Sequence, residues 1–220
     1  MVAHRQKFIA IEGLEGAGKS TVIAAVKTFF NNLSGTQKAV FTREPGGTFL
    51  AEKIRGLLIE KFEQESLCPE SELLLMYASR LQHVKRLIEP ALEKGFWVIS
   101  DRFNWSSMAY QGGGRSLSLE QVKQLDDVFL SACQPGLVLY LDVPPEIGLS
   151  RIQARQNIDR FEEEKVEFFN RAREIYLQLC QQSDHAIKID AAQSEKQVQE
   201  DVLDALTHYL RRSLGGQSQQ

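Results

Sequence analysis

The chain has 220 residues, of which 43% are hydrophobic and 25% are charged, and its formal net charge is −3 at pH 7. This size suits one α/β domain, and the slight acidic excess argues against a protein that coats nucleic acid, which needs a basic surface. The three cysteines are widely spaced and form no CxxC motif or Cys/His cluster, so neither a disulfide framework nor a zinc site is predicted. No apolar run approaches the ~20 residues of a membrane span, and the first apolar run is too short for a signal peptide. The chain is therefore predicted to be cytoplasmic.

Short apolar runs alternate along the chain with longer segments of helical periodicity. Strands are predicted at residues 8–11, 39–42, 96–99, 137–141 and 185–189. Helices are predicted at residues 19–33, 48–60, 69–94, 119–133, 164–181 and 194–210, with Pro90 as a candidate position for a kink. This alternation predicts parallel βαβ units, an α/β doubly wound sheet and a single domain over residues 1–214, followed by a disordered tail at 215–220. Ligands of such sheets bind at the carboxyl ends of the strands.

A glycine-rich loop directly follows the first predicted strand and precedes a helix. It reads Gly13, Leu14, Glu15, Gly16, Ala17, Gly18, Lys19 and Ser20, with Thr21 next in the helix. The pattern G-x-x-x-x-G-K-[ST] in this context predicts a loop whose backbone N–H groups surround phosphate oxygens of ATP. Lys19 would reach the β- and γ-phosphates, and the Ser20 hydroxyl would ligate Mg²⁺. Glu15 is expected to point away from the triphosphate, toward a hydroxyl of a second ligand, because like charges repel.

Arginines follow the ends of two predicted strands. Arg43 follows the second strand, and Asp101 and Arg102 end and follow the third. Guanidinium groups bind phosphate in a bidentate manner, so two of them at the sheet edge predict a second anionic ligand besides ATP. Asp101 is a candidate for holding a water of the Mg²⁺ shell.

A basic segment at about residues 151–163 predicts a small lid. Arg151 and Arg155 lie four residues apart and share a helix face, and Arg160 follows them. Closing over the transferring phosphoryl group, such cations would neutralise its charge and exclude water. The alternative is a solvated basic face that is balanced by the glutamates at 162–164.

The phosphate loop leaves the class of protein open. A GTPase switch is excluded because the chain has neither an N/T-K-x-D segment nor a D-x-x-G segment. The remaining alternatives are a nucleoside monophosphate kinase, a kinase for another small phosphorylated or hydroxylated metabolite, and a protein that binds ATP as a switch or scaffold. A cationic lid favours a kinase over a switch, because binding alone does not require one.

Taken together, the motifs resemble the thymidylate kinase (dTMP kinase) family, especially its bacterial form. The resemblance spans residues 8–210 and rests on residues 8–21, 41–48, 109–115 and 139–143, of which Thr42-Arg-Glu-Pro-Gly-Gly-Thr48 is the most specific. It implies the P-loop nucleoside monophosphate kinase fold, with a five-stranded parallel sheet flanked by helices and a small lid. It also implies a homodimer that uses Mg-ATP to phosphorylate dTMP to dTDP for dTTP biosynthesis, with no nucleic-acid or membrane partner.

The resemblance also assigns residues to the acceptor. Glu15 would approach the 3′-hydroxyl, Arg43 and Arg102 would hold the dTMP phosphate, and Arg80 would reach the thymine edge. The nucleoside pocket would be lined by Met76, Ser107, Tyr110 and Gln111. The chain departs from the family at Phe103, where Tyr or His is common, and at Met76, where several members have Phe.

Overall fold

A computed structural model describes residues 5–33, 38–153 and 160–215 of the chain. The described residues form one parallel sheet of five strands in the order β2-β3-β1-β4-β5. The strands are β1 (Phe8–Gly13), β2 (Ala39–Arg43), β3 (Trp97–Asp101), β4 (Leu137–Asp142) and β5 (Ala186–Asp190). The three central strands are β3, β1 and β4, and every residue in them is buried except the last residue of β3. Their burial on both faces explains their continuous apolar runs. The predicted α/β fold and parallel sheet are confirmed.

Helices connect the strands and flank the sheet. They are α1 (Lys19–Asn32), α2 (Phe49–Ile59), α3 (Pro69–His83), α4 (Glu89–Glu93), α5 (Asn104–Ser107), α6 (Leu119–Phe129), α7 (Pro145–Gln153), α8 (Val166–Gln181) and α9 (Glu195–Gly215). Thr48 and Ser118 cap α2 and α6 by accepting a hydrogen bond from a backbone N–H three residues later. The last helix continues to Gly215, beyond the predicted end at residue 210. Within the described ranges, no helix has both the length and the apolarity that crossing a membrane requires.

The predicted helix at residues 69–94 is divided by a change of helix type. After α3 the chain forms a π-helical segment, Val84–Ile88, and then α4, which contains Pro90. At this junction the Glu89 N–H donates to the Val84 carbonyl, five residues earlier. Proline has no N–H to donate and its ring crowds the carbonyl four residues before it, so the wider turn falls where a regular α-helix is least favourable.

A second helical stretch was not predicted, because it is rich in glycine. Helix α5 runs directly into a second π-helical segment, Met108–Gly114, which packs against α8. A Cβ atom at Gly113 would lie 2.8 Å from the Arg171 carbonyl oxygen, and one at Gly114 would collide with the Phe168 ring. The glycines are therefore required by the close approach of two helical backbones, which outweighs their poor helix propensity.

Candidate active site

The order of the strands brings the predicted motifs to one edge of the sheet. Strands β1 and β3 are neighbours, with Ile11 opposite Asp101, so the phosphate loop lies beside Asp101 and Arg102. A cavity of about 540 Å³ opens at this edge. Its lining includes loop residues Glu15, Gly16, Ala17, Gly18, Lys19, Ser20 and Thr21, and also Met76, Arg80, Asp101, Arg102, Ser107, Tyr110, Gln111 and Arg151.

The phosphate loop has the conformation that its glycines permit. Gly13, Gly16 and Gly18 have positive φ angles of 149°, 72° and 84°. The Lys19 ammonium Nζ donates to the carbonyl oxygens of Gly13 at 3.0 Å and Leu14 at 2.8 Å. Burial, together with the nearby charge of Arg102, lowers the pKa of Lys19 to about 8. The ammonium is thus held inside the loop, where the cost of burial outweighs the attraction of the nearby carboxylates of Glu15, Asp101 and Glu12.

Glu15 is turned toward the third strand. Its carboxylate accepts a hydrogen bond from Arg102 Nη2 at 2.6 Å and another from the Tyr110 hydroxyl. Arg102 has a left-handed backbone, with a φ of 68°, and its Nη1 also donates to the Gly13 carbonyl at 2.8 Å. The Arg102 guanidinium lies over the Tyr110 ring, 5.0 Å from its centroid. The Glu15–Arg102 ion pair therefore joins the loop to the end of β3, and the contacts of Tyr110 with both partners join the second π-helical segment to them.

Sequence reasoning missed the carboxylate of Glu12, which holds the segment that follows β3. Glu12 is fully buried and accepts hydrogen bonds from the Phe103 backbone N–H at 2.8 Å, the Ser106 hydroxyl at 2.7 Å and the Tyr176 hydroxyl at 2.8 Å. Burial raises the pKa of Glu12. A glutamate within the apolar strand 8–13 was the signal that could have revealed it, because an isolated buried carboxylate is costly unless it is hydrogen-bonded.

Asp101 and Ser20 could hold a metal ion together with a ligand. The Asp101 atom Oδ1 is buried and has no hydrogen-bond partner within the described part of the chain, and both side chains border the cavity. The same part of the chain contains no group of three or more His, Cys, Asp or Glu residues that could hold a metal. One carboxylate and one hydroxyl, completed by phosphate oxygens and water, are the donors that Mg²⁺ uses in nucleotide sites. The residues present therefore fit Mg²⁺.

The structure does not place the Arg43 side chain at the cavity. Its side chain is 55% exposed and pairs with Glu52 at 3.0 Å, and it does not border the cavity. Side chains alternate along a strand, and it is Thr42, one residue earlier, that turns inward to bond His83 Nε2 at 2.7 Å. Arg55 of α2 borders the cavity instead, with its Nη1 donating to the Pro45 carbonyl at 2.9 Å.

Arg80 is held rigidly by three partners. Its Nε donates to Glu44 Oε2 at 2.6 Å, its Nη1 to the Ser107 hydroxyl at 3.0 Å and its Nη2 to the Phe103 carbonyl at 3.0 Å. The other Glu44 oxygen accepts from His83 Nδ1 at 3.0 Å. Glu44 and His83 are buried and were not predicted from the sequence. This buried network fixes the direction in which Arg80 presents its remaining donors.

The two positions that depart from the family pattern lie in different surroundings. Phe103 is fully buried, and its ring meets Phe8 edge to face with a centroid separation of 4.8 Å. Its side chain therefore belongs to the core and not to the cavity lining. Met76 is partly buried and borders the cavity.

The two predicted lid arginines that the structure describes lie in different places. Arg151 Nη1 donates to the carbonyl oxygens of Gly16 at 3.1 Å and Ala191 at 2.9 Å, so it lies beside the phosphate loop. Arg155 lies outside the described residues. Arg160 does not border the cavity, because Glu72 of α3 holds it at 2.7 Å. In this structure Arg160 therefore does not face the cavity that was expected to hold the transferring phosphoryl group.

A parallel sheet with a phosphate loop after its first strand, and a cavity that continues from this loop to a second set of polar side chains, defines the P-loop nucleoside monophosphate kinase fold. The comparisons with known proteins agree. The family model described as "Thymidylate kinase" matches residues 11–202. A thymidylate kinase of Francisella tularensis is 50% identical over 200 residues, which cover 90% of this chain and 94% of the relative.

A thymidylate kinase of Francisella philomiragia is 46% identical over 93% of this chain and 99% of its own length. A crystal structure of the thymidylate kinase from Ehrlichia chaffeensis superposes with a TM-score of 0.73 at 30% identity, covering 91% of this chain and 97% of that one. The chain belongs to the thymidylate kinase family. It is an ATP-dependent nucleoside monophosphate kinase that phosphorylates dTMP to dTDP, a step in dTTP synthesis.

Proposed function

We propose that the cavity binds both substrates at once, with ATP at the phosphate loop and dTMP at the second π-helical segment. The observation that carries the proposal is the continuity of the cavity from Lys19 and Ser20 to Arg80 and Gln111. A protein that only bound ATP would not need a second polar pocket that opens onto the same volume. Both partners of the Glu15–Arg102 ion pair border this volume.

In the proposed reaction, an oxygen of the dTMP phosphate attacks the γ-phosphorus of ATP, and the bond from that phosphorus to the β–γ bridging oxygen breaks, which releases ADP. The acceptor phosphate is mostly dianionic at neutral pH, since its second pKa is about 6, so no catalytic base is required. The chain's task is to hold two anions close together and to stabilise the charge on the transferring group. Lys19 supports the donor side of that charge.

Arg102 and Arg55 are the proposed ligands of the acceptor phosphate. Both border the cavity, one from the end of β3 and the other from α2. Arg55 replaces Arg43 in this role, because the Arg43 side chain is engaged with Glu52 on the surface. Arg151 is proposed to contact ATP, since it bonds the phosphate-loop carbonyl of Gly16.

Ser20 and Asp101 are proposed to hold Mg²⁺, the serine through its hydroxyl and the aspartate partly through water. The unpartnered buried oxygen of Asp101 supports this assignment. When bound, Mg²⁺ would neutralise negative charge on the β- and γ-phosphates.

A coupled assay for ADP release with Mg-ATP and a panel of nucleoside monophosphates tests whether the polar pocket beside the phosphate loop selects dTMP. Turnover is expected with dTMP and to be far weaker with dCMP, dAMP and dGMP. The Lys19→Ala variant serves as the control and should lose turnover by orders of magnitude while keeping its fold. Equal turnover with several bases, or none with dTMP, would contradict the proposal.

The proposed assembly is a cytoplasmic homodimer. Helices α2 and α3 pack side by side, α3 also packs on α6, and all three expose large apolar side chains. Phe49 is 83% exposed, Leu74 59% and Val128 71%. We propose that these exposed apolar side chains form the surface that pairs with a second copy about a two-fold axis.

A further inference from the structure

We infer that Glu72 is a positioning residue that fixes the amide of Gln111 with its oxygen toward the acceptor pocket, and so sets which base the pocket accepts. The inference rests on the proposed binding of dTMP at the second π-helical segment. Glu72 is a residue of α3 whose side chain is fully buried, and it does not itself border the cavity. Its influence on a ligand must therefore pass through a neighbour.

The charged partners of Glu72 determine its chemical form. Two guanidinium groups pair with it, Arg160 at 2.7 Å and Arg115 at 3.2 Å. Arg115 also pairs with Glu164, so the buried cluster contains two positive and two negative charges. The partner of two guanidinium groups is a carboxylate, which accepts hydrogen bonds and cannot donate them.

The Glu72 carboxylate sets the orientation of the Gln111 amide. An amide carries donors on its nitrogen and an acceptor on its oxygen, and the two ends are nearly identical in shape. Gln111 Nε2 lies 2.8 Å from Glu72 Oε1. Because the carboxylate only accepts, chemistry requires the NH₂ end to face it. Within the described part of the chain, Gln111 Oε1 has no hydrogen-bond partner, and it is not among the buried side-chain atoms that lack one. The Gln111 side chain borders the cavity, so its oxygen is available to a ligand there.

The pocket presents one hydrogen-bond donor and one acceptor to the ligand. Arg80 can only donate, whereas the Gln111 oxygen can only accept, and both border the same pocket. Thymine presents an acceptor oxygen next to a ring N–H donor, which matches this pair. Cytosine presents an amino donor next to a ring acceptor, which opposes both. Glu72 would thus exclude cytosine by keeping the Gln111 oxygen in place.

The test compares kcat/KM for dTMP, dUMP and dCMP in Glu72→Gln and in the matched control Glu164→Gln. Each variant removes one negative charge from the same cluster, but only Glu72 contacts Gln111. Since glutamine can donate or accept, Glu72→Gln allows the Gln111 amide to turn over. We expect its preference for dTMP over dCMP to fall by at least about tenfold. The preference for dTMP over dUMP should stay within about twofold, because these bases share the same hydrogen-bonding edge.

Glu164→Gln is expected to leave both preferences within about twofold of the wild type. A proportional loss of activity on all three nucleotides in Glu72→Gln would indicate a purely structural role and overturn the inference, as would an equal effect in Glu164→Gln. If Glu72→Gln does not fold, Glu72→Gln combined with Arg115→Gln restores a neutral cluster and should show the same loss of preference. A wild-type enzyme that ignores dTMP would instead refute the proposed function.

Discussion

At the residue scale, Lys19 has a property that no motif could supply. The loop pattern specifies a lysine that meets phosphates, but only the folded loop shows the ammonium buried near Arg102, with a pKa of about 8. The cationic form binds phosphate, and it is the form present below this pKa. Raising the pH through 8 therefore removes the charge from the free enzyme.

We predict that kcat/KM for ATP is level below about pH 8 and falls about tenfold per pH unit above it. The decline of kcat with rising pH should begin at a higher pH than the decline of kcat/KM, because the bound triphosphate stabilises the protonated form of Lys19. Any residual activity of Lys19→Arg should lack the inflection near pH 8, since arginine stays charged. A flat kcat/KM profile up to pH 10 in the wild type would contradict the role given to Lys19.

At the same scale, we predict which arginine binds the acceptor phosphate. Arg55→Gln should raise the KM for dTMP by at least about tenfold, with a smaller effect on the KM for ATP, because a charge-assisted contact is lost. Arg43→Gln is the matched control and should change either KM by less than about twofold, because Arg43 makes an exposed ion pair. Steady-state kinetics with each substrate varied separately decides between them, and a reversed order of the two variants would restore Arg43 to the site.

At the scale of elements, the sequence predicted the strands and most helices closely. Apolar runs and caps are local signals, and they reported β1, β4 and α2 to within two residues. The second π-helical segment was missed because its glycines are read locally as a loop. Their purpose is the contact with α8, more than 50 residues away along the chain, and no local pattern contains that information.

The close contact of Gly113 with α8 predicts that replacing this glycine destabilises the fold. Gly113→Ala should lower the free energy of unfolding by about 1–3 kcal/mol, because the added methyl group overpacks the interface with α8. For a chain of this size, the melting temperature should fall by several degrees. Gly56→Ala is the matched control, since no atom lies within 4 Å of its Cβ position in α2, and it should be neutral or slightly stabilising. Calorimetric melting of both variants tests the packing, and equal melting temperatures would argue against it.

At the scale of the whole molecule, the exposed apolar face of α2, α3 and α6 predicts the assembly. Leu74→Glu and Val128→Glu place a charge on that face, and each is expected to convert the dimer to a monomer in sedimentation velocity. Ile147→Ser removes an apolar side chain that is 37% exposed on α7, outside that face, and should leave the mass unchanged. A monomeric wild type, or dimers in both charged variants, would rule out this interface.

The sequence by itself determined the parallel sheet, the phosphate loop and the family, because these depend on apolar runs and on a motif whose residues are contiguous. The family resemblance also pointed to Arg80, Tyr110 and Gln111, which border the cavity. The tertiary structure decided which arginines face that cavity. Arg43 and Arg160 looked suitable in the chain, but Glu52 and Glu72 hold them elsewhere, while Arg55 enters from a helix that carries no motif. The direction of a long, charged side chain depends on partners that are distant in sequence, and only folding brings those partners together.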